Sequence, residues 1–340
     1  MYKISCVMKN IIEWILALFI SMMICNTVCV FYHKPAGWIE RHNAYTSSIW
    51  NPNSTIVFGT EGYGINKVDS NGYVNKELPL IENSYVLISG ASHTQGLHVM
   101  PNERYSEILN RKLGYKAEYG VYNVSQDGQE FDEMISNFPA LLEEFPNSRA
   151  IVFEIYRTDY KKYKFNYDQN GNIVQVHFNP DESGLNKKNR LSTLKKIGIR
   201  TKELLPVVNR IKEQLVQLNM EENVIYEKDT CSLNEFKMAL ATIKEEYDGE
   251  IYILYHPYFE YTKDGGIKIE QDSTLNIFRN CCEENDIVFV DSTREIISGF
   301  EVDHKVPYGF QNTQIGKGHL NSYGHQMIAD ILYGYLKGER

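Results

Sequence analysis

The chain has 340 residues, enough for one large domain or two small ones, and carries 35 Lys and Arg against 44 Asp and Glu, a net charge of −9. No dense Lys/Arg run is present, so the electrostatic footprint that phosphate backbones require is missing and nucleic acid is excluded as a partner. The six cysteines form two uneven groups, Cys6, Cys25 and Cys29 at one end and Cys231, Cys281 and Cys282 in the body; with no CxxC pair they read as idle thiols, not a zinc site or a disulfide framework.

Ile11 to Tyr32 is almost unbrokenly apolar, interrupted by Glu13, Asn26 and Thr27. About 20 apolar residues at 1.5 Å each cross a hydrocarbon core of ~30 Å. Lys3 and Lys9 precede the stretch, so residues 1–10 are expected to be a cytoplasmic tail, 11–32 a transmembrane signal anchor, and the remainder exported, a single-pass protein of the cell membrane with its globular part outside. A cleaved signal peptide is the rival reading. The lack of a small-x-small cleavage site and the length of the stretch favour the anchor.

Residues 33–83 read as a linker and a small β-rich lead-in, with a hairpin signal at Asn71-Gly72. Next comes YVLISGASHTQG, residues 85–96, a buried strand that stops at Gly90 and delivers Ser92 to its carboxyl end. Ligand sites of open α/β sheets lie outside the carboxyl ends of their strands. A helix over Glu103 to Leu113, a strand at 119–124, a five-turn amphipathic helix from Phe131 to Phe145 and a third buried strand at 150–156 follow.

An insertion is expected at about 160–250, with a hairpin around Asn170-Gly171 and helices at Leu191 to Leu218 and Leu233 to Tyr247. Strands at 250–257 and 286–291 flank a helix from Ser273 to Glu284, which makes five apolar strands alternating with helices and so a parallel sheet covered on both faces. Finally, Gly318-His319-Leu320-Asn321 precedes a helix that Asn321 or Ser322 can cap, leaving His319 in the loop before its amino terminus. His93, His98, His256, His304, His319 and His325 are numerous, but no HExxH or similar ligand spacing joins them, so no metal and no cofactor is expected.

Together, Ser92 after the first core strand and His319 before the last helix resemble the SGNH (GDSL-type) hydrolase family over roughly residues 84–336. The resemblance implies a flavodoxin-like three-layer α/β sandwich with a five-stranded parallel sheet, here preceded by one transmembrane helix. Gly90-Ala91-Ser92 matches the nucleophile block, Gly128 the oxyanion-hole glycine, and His319, not His325, the base. The oxyanion would rest on the N–H groups of Ser92 and Gly128. The family's third block, Gly-x-Asn-Asp, is replaced by Tyr156-Arg157-Thr158-Asp159, which leaves the Thr158 hydroxyl in place of an amide donor. The aspartate usual three residues before the base is replaced by Gly316; a backbone carbonyl, Asp303 or Glu154 are the substitutes open to it.

An exported domain of this family on a single anchor is similar to enzymes that add or remove acetyl esters on cell-wall and secreted polysaccharides. It implies a serine esterase or O-acyltransferase acting on an acylated carbohydrate, a transferase drawing acyl groups from a polytopic membrane acyltransferase partner. Tyr255 and Tyr258, beside His256 and Pro257 at a strand's end, offer rings for stacking on sugars. The competing reading is a non-catalytic SGNH-like module that binds polysaccharide or scaffolds an assembly, favoured by the missing aspartate and the altered third block.

Overall fold

The computed structural model describes residues 2–34, 36–41, 44–75, 85–114, 120–167, 173–174 and 231–339. Helix α1 (Tyr2–Tyr32) leads into two small hairpins, β1 (Trp38–Glu40) with β2 (Ser48–Trp50) and β3 (Thr55–Phe58) with β4 (Gly64–Lys67). Then come β5 (Tyr85–Ser89), α2 (Ser92–Gln95), α3 (Tyr105–Leu113), β6 (Gly120–Asn123), α4 (Phe131–Ser136), α5 (Phe138–Glu144) and β7 (Ser148–Ile155). The two-residue strands β8 (Asn166–Tyr167) and β9 (Ile173–Val174) pair antiparallel, as the Asn170-Gly171 signal predicts. The chain ends with α6 (Leu233–Glu245), β10 (Glu250–Tyr255), β11 (Phe259–Tyr261), β12 (Ile267–Ile269), α7 (Leu275–Glu284), β13 (Val288–Asp291), α8 (Thr293–Glu301) and α9 (Ser322–Leu336).

The central sheet has the order β13-β10-β7-β5-β6 with every neighbouring pair parallel, which in chain order is 2-1-3-4-5. Alternation along the strands divides the core. Leu87, Ile151, Phe153 and Ile253 face a layer holding Phe131, Phe138, Phe236 and Phe278 of α4 to α7, whereas Val86, Ile88, Val152 and Leu254 face Leu109 of α3, Ile296 of α8 and Ile328 of α9. This is the three-layer sandwich the sequence predicts. The strand order reverses between β5 and β7, and the crevice outside their carboxyl ends is where such folds place their chemistry.

Two expectations need correction. The helix over Phe131 to Phe145 is interrupted at Asn137, because Pro139 enters the first turn of α5 without an N–H to continue the ladder. Asn71-Gly72 does not close a strand hairpin: the Asp69 carboxylate accepts the N–H groups of Asn71 and Tyr73 at 2.8 and 3.1 Å and folds the segment into a turn beyond β4. The helix expected at Leu191 to Leu218 lies outside the described residues.

Residues 44–75 pack against the sandwich instead of trailing from it. Tyr45 is fully buried with its hydroxyl bonded to Ser89 Oγ, and the buried Arg104 guanidinium donates to Asn66 Oδ1 and, at 2.7 Å, to the carbonyl of Val74. The hairpin β3–β4 also holds the end of α1. Lys34 and Val57 exchange backbone hydrogen bonds of 2.7 and 2.9 Å, and the Tyr63 hydroxyl donates to the carbonyl of Phe31 at 3.0 Å. Within α1, Met8–Tyr32 spans 25 residues of mean hydropathy 2.2, the one helix among the described residues long and apolar enough to cross a membrane.

Candidate active site

Strand β5 is buried along its whole length and breaks at Gly90, where a Cβ would collide with Glu154 Oε2 and Thr94 Oγ1. Glycine is therefore required by close approach. The freed space lets the Glu154 carboxylate accept the Ala91 N–H at 3.1 Å and the Thr94 hydroxyl at 2.9 Å, which fixes the turn into the single-turn helix α2 that begins at Ser92. The Ser92 hydroxyl stands half-buried at the tip of β5.

His319 arrives from the other end of the chain. Its loop is held by the Gly309 N–H donating to the His319 carbonyl at 2.9 Å and by the Asn321 amide on the carbonyls of Val306 and Gly309, while Asn321 Oδ1 caps α9 through the N–H of Gly324. His319 Nε2 lies 2.8 Å from Ser92 Oγ, and Nδ1 lies 2.7 Å from Glu61 Oε2. The second oxygen, Glu61 Oε1, accepts the backbone N–H of His319 at 2.7 Å. With Nδ1–H donated to a carboxylate, the free lone pair of the ring is on Nε2, facing the serine.

Glu61 sits in the turn between β3 and β4, and Asn312 clamps that turn: its amide donates to the carbonyls of Gly59 and Gly62 at 3.0 and 3.1 Å, and its Oδ1 accepts the Gly62 N–H at 2.9 Å. Burial alone would raise the Glu61 carboxyl, but the hydrogen bond and charge of His319 and its backbone N–H outweigh that and hold Glu61 below the usual carboxylate range. His98 stacks on the His319 ring at 3.7 Å with planes 17° apart. Burial, reinforced by His319 and opposed by Glu61, lowers His98 to about 4, so it packs as a neutral ring. Glu61, His98 and His319 bring three metal-ligating atoms within 4.8 Å of one another, yet both ring nitrogens of His319 are already bonded to Ser92 and Glu61.

A 2-1-3-4-5 sheet with a serine after its first strand bonded to a histidine before its last helix is now in place. The chain has the SGNH hydrolase fold. No protein-family profile and no curated protein matches the sequence. Among solved structures it is similar to TesA (11% identity, 75% of this chain and 99% of that chain covered, TM-score 0.39) and to the psychrotrophic esterase EstA from Pseudoalteromonas sp. (11%, 75% and 98%, 0.38). It is also similar to the acetyl xylan esterase AlAXEase (12%, 74% and 99%, 0.39).

The candidate site differs from expectation at several residues. The orienting carboxylate is neither Asp303, which accepts the Tyr323 hydroxyl at 3.2 Å, nor Glu154, whose Oε1 lies 2.6 Å from His256 Nε2 in a fully buried pair. It is Glu61, 258 residues from His319 in sequence and inside the segment read as a lead-in; no local pattern marks it. The position where an aspartate is usual, Gly316, has φ 85° and its Cβ direction is filled by the Tyr261 ring at 2.7–3.0 Å, so no side chain fits there. Thr158 is fully buried and gives both its N–H (2.6 Å) and its hydroxyl (3.3 Å) to Asp272 Oδ2, so it has no donor left for an oxyanion. Gly128 lies exposed at φ 77° in the loop after β6, and among the described residues no acceptor takes its N–H or that of Ser92. Tyr255 is fully buried with its ring stacked on Phe289 and is closed to sugars; Tyr258 is half-buried and borders a cleft.

The histidine cluster around the site sets a pH limit on the fold. Burial drives His93 and His325 well below the ordinary 6.5, and His98 to about 4. Folded, these rings stay neutral as the unfolded chain takes up protons, so their contribution is complete above pH 6.5 and is lost as pH falls below it. Three such groups set an upper bound of roughly 4 kcal/mol per pH unit on the loss, which Glu133, raised by burial to about 7, partly offsets. Urea unfolding at pH 7, 6 and 5 is expected to show the midpoint falling; a midpoint unchanged across that range would contradict this account.

Proposed function

We propose that this protein is an exported serine esterase or O-acyltransferase that acts on acyl esters, acetyl above all, of a cell-wall or secreted polysaccharide through an acyl-enzyme on Ser92. The reading rests on one observation: the continuous chain of hydrogen bonds from Ser92 Oγ through both nitrogens of His319 to Glu61. Serine is a weak nucleophile at its own pKa and needs an adjacent base oriented by a third group. His319 Nε2 takes the Ser92 proton as Oγ bonds to the acyl carbon, and the carbonyl electrons move onto oxygen beside the N–H groups of Ser92 and Gly128. Collapse expels the sugar alkoxide, which takes the proton from His319. A water or a second hydroxyl then attacks the acyl-serine by the reverse sequence, so hydrolysis and transfer share the intermediate. Glu61 keeps the proton on Nδ1 and stabilises the imidazolium formed in each step.

The non-catalytic alternative draws on the aspartate lacking at Gly316, whose place Glu61 takes geometrically, and on the altered third block, where Asp272 holds both donors of Thr158. An apolar helix ahead of the fold supports anchoring, and Lys3 and Lys9 before it favour an outside domain by the positive-inside rule. In this reading a transferase takes its acyl groups from a polytopic membrane acyltransferase. With the full-length protein in detergent, a fluorophosphonate probe is expected to label the wild type and p-nitrophenyl acetate to be turned over, and Ser92→Ala to abolish both. Labelling that persisted in Ser92→Ala would refute the assignment.

A further inference from the structure

Tyr258 lies three residues beyond β10, with its hydroxyl 2.7 Å from His93 Nε2. The direction of that hydrogen bond is fixed from the far side of the ring. The backbone N–H of Leu320 donates to His93 Nδ1 at 3.2 Å, so the lone pair is on Nδ1 and the single ring proton on Nε2. Burial, with His256 and His319 adding to it, keeps His93 neutral. Nε2–H therefore donates to the Tyr258 oxygen, and the phenolic proton must point elsewhere.

Among the described residues no acceptor takes that proton. The neighbouring Tyr308 shows the contrast, since its hydroxyl is satisfied by the carbonyls of His256 and Pro257 at 2.9 and 3.0 Å. Burial, then Tyr156, raises Tyr258 above the usual phenol, so it stays protonated and able to donate. Its ring borders a cleft of about 690 Å³ shared with Tyr156, Arg157 and Lys268. A single imidazole, that of His93, stands between Tyr258 and the His319 ring. His93 directly follows Ser92 in the chain, and its ring centroid lies 5.1 Å from that of His319 and 5.7 Å from that of Tyr258. Thr158, meanwhile, has both donors committed to Asp272, which leaves the oxyanion with two backbone N–H groups.

We propose that the Tyr258 hydroxyl is the third oxyanion donor, bonding the substrate's acyl oxygen as it becomes negative during attack by Ser92, and that His93 is the positioning residue that turns the phenolic proton toward it. The role rests on the acyl-enzyme reading above. In the tetrahedral state the oxygen carries a full charge and the carbonyl only a partial one, so the donor acts mainly on the barrier.

The test uses the full-length protein in detergent with p-nitrophenyl acetate and a fluorophosphonate, comparing wild type, Tyr258→Phe and Ser92→Ala, with thermal unfolding showing that each variant is folded. Tyr258→Phe is expected to lower kcat by about 10²–10³-fold with KM nearly unchanged. The phosphonylation rate is expected to fall in the same proportion, because the phosphoryl oxygen occupies the same position. A folded Tyr258→Phe with wild-type kcat, or one in which KM rises and kcat holds, would overturn the proposal while leaving Ser92 and His319 in place. Turnover undiminished in Ser92→Ala would remove the acyl-enzyme reading, and this role with it.

Discussion

Replacing Glu61 by glutamine is expected to lower kcat for an acyl ester by about 10⁴-fold with little change in unfolding free energy. The size follows from how the two carboxylate oxygens are used. One accepts the backbone N–H of His319, and the other accepts Nδ1–H. In the amide, the single oxygen is drawn to the backbone N–H, which has no alternative, and the NH₂ then faces Nδ1. A donor facing Nδ1 forces the ring proton onto Nε2, where no lone pair remains to take the Ser92 proton. The substitution is isosteric and the glutamate side chain is one-fifth exposed, so the fold is little affected. Steady-state kinetics, fluorophosphonate labelling and urea unfolding on one preparation distinguish these effects. A Glu61→Gln variant within tenfold of wild-type kcat would show that the contact orients nothing.

Glu154→Ala is expected to have the converse outcome, a loss of roughly 3–5 kcal/mol of stability. Both side chains of the Glu154–His256 pair are fully buried, and the same carboxylate also accepts from Ala91 N–H and Thr94 Oγ1. Truncation leaves His256 Nε2 and the Ala91 N–H without a partner, each costing about 1–3 kcal/mol, while the Thr94 hydroxyl keeps its bond to Tyr105 at 2.8 Å. Any loss of activity follows the unfolded fraction and the loosened turn before Ser92. Urea unfolding decides it, and a change below about 1 kcal/mol would mean that water replaces the carboxylate at no cost.

The contrast between the two glutamates shows what was legible in the sequence. Buried parallel strands read as continuous apolar runs, and β5, β7 and β10 lie within one to two residues of where those runs place them. Ser92 and His319 were visible because each sits at a strand end or a helix cap, features set by near neighbours. Glu61 was not, since its position depends on Asn312, some 250 residues away, clamping a turn whose own sequence is unremarked. Glu154 was a reasonable candidate by its place at the end of β7, but a carboxylate on a central strand points into the core, where His256 claims it. Thr158 follows the same pattern: Asp272, far along the chain, takes both of its donors.

The hairpin that carries Glu61 also grips the last turn of α1, through Lys34 with Val57 and Tyr63 with the carbonyl of Phe31. With α1 in a bilayer, the catalytic pocket therefore has no leash on which to swing outward. Under the proposed function, its working radius would lie at the lipid headgroups, and a polymer would be modified only at that plane.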